Sequence, residues 1–63
     1  MMTSLQYRAA LAKLGMTQQE GADFLGVSIR TSHSYANDGI IPEGFAKLLR
    51  LMIKHNLTPD DVK

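Results

Sequence analysis

The stretch TQQEGADFLGVS, residues 17–28, holds a helix start, a helix stop and a second helix start, and nothing else in the chain restricts its fold as much. Thr17 and Glu20 have the spacing of a T-x-x-E capping box, in which each side chain satisfies a backbone amide that a helix start leaves free. Leu25 is followed by Gly26, the residue type best able to take the left-handed conformation that ends a helix. Ser28 is then a good N-cap for the next helix. Two short helices across a tight turn predict a helix-turn-helix at about residues 18–37.

The flanking sequence repeats the same grammar. Thr3 or Ser4 can cap a first helix whose apolar residues Tyr7, Leu11 and Leu14 fall at i, i+4 and i+7, and Gly15 is placed to end it. The segment NDGIIP is turn chemistry, with Pro42 suited to the start of a fourth helix over about residues 43–55. Leu57, Thr58, Pro59, Asp60 and Asp61 supply an apolar staple, an N-cap, an N1 proline and two first-turn acids for a last short turn. No strand alternation or internal repeat interrupts this. The expected fold is all-α, a compact four- to five-helix bundle in a single domain over residues 1–63. A chain this short buries only about 60% of its unfolded surface. It has no cysteine, so neither a disulfide nor a thiolate metal site compensates, and cohesion must come from packing.

The third helix carries little apolar surface: Ile29, Tyr35 and Ala36. Stepping 100° per residue puts Arg30, His33 and Asn37 on one side with Ser34 beside them and Ile29 at the edge, and Ser28, Thr31, Ser32 and Tyr35 on the other. Arginine, asparagine and serine are side chains that read base edges or grip phosphates, and a helix fits the DNA major groove. A solvated face on an ordinary small bundle is the plainer alternative. The order of elements favours the first, because in a helix-turn-helix the second helix is the reader.

The segment LAKLGMTQQEGADFLGVSIRTSHSYANDG resembles the helix-turn-helix of the phage-repressor and Cro-like family, small five-helix DNA-binding domains. The likeness spans about residues 5–45 and rests on Leu-Gly-Met-Thr-Gln leading into the second helix, Ala22 within it, Leu25-Gly26-Val27-Ser28 through the turn, and Asn37. It implies that Ser28, Ile29, Arg30 and Ser34 face bases and that Gln18 and Asn37 hold phosphates, with double-stranded DNA as partner. Gln18 sits where a helix N-terminus favours a phosphate, whereas Thr17 reads as the cap alone. The chain departs from the family pattern at two inward positions, Gly21 and Ser32, where a branched apolar residue is usual; a neighbouring aromatic, Phe24 or Phe45, is expected to fill that space. Ile29 stands where a polar reader is common.

Charge and the fourth helix add two open questions. The formal charge is only +1, although residues 1–58 hold six basic and four acidic residues. Lys47, Arg50 and Lys54 form a basic stripe that meets DNA backbone or an acidic partner, or is simply a solvated face; Lys47 and His33 are further candidate DNA contacts. The fourth helix is apolar on most sides, so it is either the central core helix or the contact of a homodimer through Leu51, Met52 and Ile53, extended by Leu57 and Val62.

Several function classes are set aside. His33 and His55 lack partners at metal-ligand spacing, no nucleophile motif or phosphate loop occurs, and no cofactor or small-molecule substrate is expected. Tyr7 and Tyr35 are expected to be core residues with a wet hydroxyl. No bilayer span or signal peptide is read, so the expectation is a cytoplasmic protein. The two functions left are a DNA-binding regulator and a helix-turn-helix module turned to binding a protein partner, as an accessory or antitoxin-like subunit.

Overall fold

The computed structural model describes residues 1–62. They form five α-helices and, among the described residues, no strand: α1 (Ser4–Lys13), α2 (Gln18–Leu25), α3 (Ile29–Asn37), α4 (Glu43–Lys54) and α5 (Pro59–Val62). Helix starts follow local chemistry. Thr3 Oγ1 accepts from the Gln6 amide at 3.1 Å while Gln6 Oε1 accepts from the Thr3 amide at 2.9 Å. Thr17 and Glu20 close the same box for α2, at 3.1 and 2.9 Å. Ser28 Oγ accepts from the Thr31 amide at 3.1 Å, and Thr58 with Asp61 closes the start of α5. Helix α4 differs, since Pro42 precedes it and offers no side-chain cap.

Gly26, at φ 74°, is the left-handed stop that ends α2, and the Val27 amide donates to the Ala22 carbonyl at 3.0 Å. That tight reversal lays α3 against α2, and α3 also packs on α1. The end of α3 is equally tight. Amides of Asp38 and Gly39 both donate to the Ser34 carbonyl, at 3.1 and 2.6 Å.

The core is built from Tyr7, Ala10 and Leu11 of α1, Ala22 and Leu25 of α2, Ala36 of α3, Ile41, and Ala46, Leu49 and Met52 of α4. Tyr35 bridges the Tyr7 and Phe45 rings in edge-on contacts, centroids 5.7 and 6.3 Å apart.

The structure departs from three expectations. Met52 is fully buried within its own chain, so it is a core residue and not a dimer contact. Phe45, Leu48 and Ile53 also pack against the core, which leaves Leu51, 51% exposed, as the one exposed large apolar residue on α4. The space at Gly21 and Ser32 is filled by α1 and not by Phe24 or Phe45. A Cβ on Gly21 would come within 2.9 Å of Leu11 Cδ2, and Ser32 Oγ meets the Tyr7 hydroxyl at 2.7 Å. The Tyr7 hydroxyl is therefore not wet, because Tyr7 has no exposed surface and its oxygen is satisfied inside the protein.

Candidate nucleic-acid interface

Four residues of α3 are exposed at i, i+3, i+4 and i+7: Arg30, His33, Ser34 and Asn37. That spacing makes one stripe along a helix. Its opposite side carries Ser32 and Ala36, both buried. Small residues there let α3 lie close against α2 and α1, so the stripe is presented on a helix whose seat is tight.

The expected base-facing set divides. Arg30 and Ser34 are exposed on the stripe. Ser28 is exposed, but its hydroxyl is engaged as the cap, accepting from the Thr31 amide and lying 3.0 Å from Thr31 Oγ1. Ile29 is half-buried, at the edge where the helical wheel places it. His33, added only as a further contact, lies centrally on the stripe.

The two expected phosphate ligands also differ from each other. Asn37 turns its Nδ2 back to the His33 carbonyl at 2.8 Å, so one of its amide hydrogens is used within α3. Asp38 follows directly, and a carboxylate there opposes an anion. Gln18 is half-buried, and its Oε1 accepts from Ser32 Oγ at 2.8 Å. Only its oxygen is engaged, which leaves the Nε2 group to donate elsewhere.

Ser32 thus joins three helices through one hydroxyl, with Tyr7 of α1 on one side and Gln18 of α2 on the other. Burial holds the Tyr7 phenol above its ordinary 10.0, opposed by the Ser32 hydrogen bond and helped by Tyr35. Among the described residues no buried side-chain nitrogen or oxygen lacks a partner. Sequence reasoning flagged Ser32 as a departure and missed its role. The available signal was a hydroxyl at an inward helix position, which requires a partner when buried.

On α4, Lys47, Arg50 and Lys54 are exposed and line one open depression together with Leu51. Ile53 and Leu57 are half-buried and Val62 is 37% exposed, so the remaining dimer candidates are Leu51 and the margins around it. No group of three or more histidine, cysteine or carboxylate side chains suited to a metal occurs among the described residues. No helix among them is long and apolar enough to cross a membrane. Compared with protein-family models, curated proteins and solved structures, the chain matches none.

Proposed function

We propose that this protein binds double-stranded DNA with sequence preference, as a small repressor-like regulator that lays α3 in the major groove. The observation that carries the reading is the exposed Arg30, His33, Ser34 and Asn37 stripe on the second helix of a helix-turn-helix. Arg30 is its one strong reader, since a guanidinium can bond guanine O6 and N7 together. Gln18, at the start of α2, grips a phosphate and sets the depth of docking.

One good bidentate contact contributes about 1–3 kcal/mol of discrimination, below the roughly 4–10 kcal/mol that separates specific from non-specific binding. Two copies on half-sites about 34 Å apart supply the difference. A symmetric α4 contact would bring two Leu51 side chains together inside a ring of cations from Lys47, Arg50 and Lys54 of each copy, and like charges resist that. The pair therefore assembles on DNA and not beforehand.

Titration of random-sequence duplex at low and high salt, followed by selection of preferred sites, tests the reading. Affinity should fall steeply with salt, and Arg30→Ala should relax preference at one base pair per half-site while sedimentation shows monomers alone and two copies per bound duplex. Absence of duplex binding at low salt would abandon it. The second reading, a module for an acidic protein partner, is favoured by Leu51 between three cations and would then take its place.

A further inference from the structure

We propose that Tyr7 and Ser32 are positioning residues that fix the donor sense of the Gln18 side-chain amide, so that Nε2 and not Oε1 faces an incoming phosphate. The inference rests on the DNA-binding reading and concerns residues that touch no nucleic acid themselves.

The direction of the amide follows from a count of protons. Ser32 Oγ lies 2.7 Å from the Tyr7 hydroxyl and 2.8 Å from Gln18 Oε1. Each hydroxyl has one proton to give, and a carboxamide oxygen can only accept. With Oε1 inward, the Ser32 proton goes to Gln18 and the Tyr7 proton goes to Ser32. Every donor is used, and both Nε2 hydrogens remain for an outside acceptor. Turning the amide over leaves one proton too many: Nε2 would donate to Ser32, and whichever way the Ser32–Tyr7 bond then runs, one of the two hydroxyl protons has no acceptor among the three groups. Tyr7 and Ser32 both have no exposed surface, so no bulk water can take that proton. The two buried hydroxyls together therefore set the direction, and Gln18 presents a donor.

Burial also keeps the phenol protonated, so the chain does not reverse by ionisation near neutral pH. A glutamine without this brace presents oxygen or nitrogen about equally, and an outward oxygen repels a phosphate. The arrangement converts a reversible amide into a one-sided donor using groups on three helices.

The test is a double-mutant cycle on the whole chain with thermal melting as the fold control. Ser32→Ala and Tyr7→Phe should each weaken binding to random-sequence duplex roughly three- to tenfold, equally on all sequences. Both losses should vanish when Gln18 is already Ala, whereas the Arg30→Ala loss should persist in that background. Losses that survive Gln18→Ala, or that change the preferred sequence, would overturn the positioning role. A readout without DNA separates this from the function itself: both Gln18 side-chain amide hydrogens should exchange rapidly in the wild-type protein. Protection of one of them would mean that Nε2 faces Ser32 and would overturn the proposal. Wild-type protein that binds no duplex would remove the DNA reading, and the exchange measurement would still decide the orientation.

Discussion

The seat of α3 and the seat of α4 are built from different materials. Helix α3 turns Ser32 and Ala36 inward, both buried, with the Ser32 hydroxyl bonded to Tyr7 and Gln18. Helix α4 turns Leu49 and Met52 inward, both without exposed surface. Apolar area holds α4, and area has no direction. Close approach and hydrogen bonds hold α3, and those do have direction. A helix that must present four side chains in register gains more from the second kind of seat, whereas a helix that closes the core gains more from the first.

Leu49→Ala attacks the greasy seat and should have the largest effect. It should cost about 2–5 kcal/mol, a large share of what a domain this size possesses, and is read by chemical denaturation. A loss below 1 kcal/mol would mean that α4 is not held by area. Gly39→Ala attacks the tight end of α3. An added Cβ would lie 2.6 Å from Ser34 Oγ and 2.8 Å from its carbonyl oxygen, and backbone cannot step aside as a side-chain tip can. Destabilisation of about 1–3 kcal/mol is expected, with lost amide protection at the end of α3.

Ser32→Ala should follow at about 1–2 kcal/mol, because it leaves the Tyr7 hydroxyl buried and unpaired. Adding Tyr7→Phe should recover part of the loss, since removing both partners is gentler than removing one. Strict additivity would show that the hydrogen bond does not hold α3. Alkali probes the burial of the same phenol. The phenol is raised above 10.0 in the folded protein, so its contribution is complete below that pH and is lost as pH rises from there through the folded value. Stability should therefore fall above about pH 10, and Tyr7→Phe should flatten that fall. The smallest effect belongs to Gly21→Ala. The gain of about 1 kcal/mol in helix propensity meets pressure on both Leu11 methyls, Cδ2 at 2.9 Å and Cδ1 at 3.1 Å, the far end of a side chain that can shift, and the two should nearly cancel.

The sequence displays local physics well and distant physics poorly. Thr17 with Glu20, Ser28 before Ile29, and Thr58 before Pro59 mark helix starts because a cap and its target amide lie within three residues. The outward stripe of α3 follows from the same short-range periodicity. By contrast, the partners of Ser32 are 25 residues away on α1 and 14 residues away on α2, and no local pattern points to them. Leu11 over Gly21 is of the same kind. Met52 shows a further limit: an apolar helix surface reads identically whether its own core or a second copy covers it, and only three dimensions assign Met52 to the core and Leu51 to the surface.

The bare start of α4 has a kinetic consequence. Helices α1, α2, α3 and α5 each begin on a side-chain cap closed three residues later, a contact that forms in the unfolded chain at little loop-closure cost. Helix α4 begins at Pro42 with no such nucleus. Its first turn becomes favourable only once Ala46 and Leu49 have found the other helices. The expected order is a fluctuating α1–α3 assembly first and α4 condensing on it at the rate-limiting step. Substitutions at Leu49 would then slow folding, while cap substitutions at Thr17 or Ser28 would act on how often the precursor is populated.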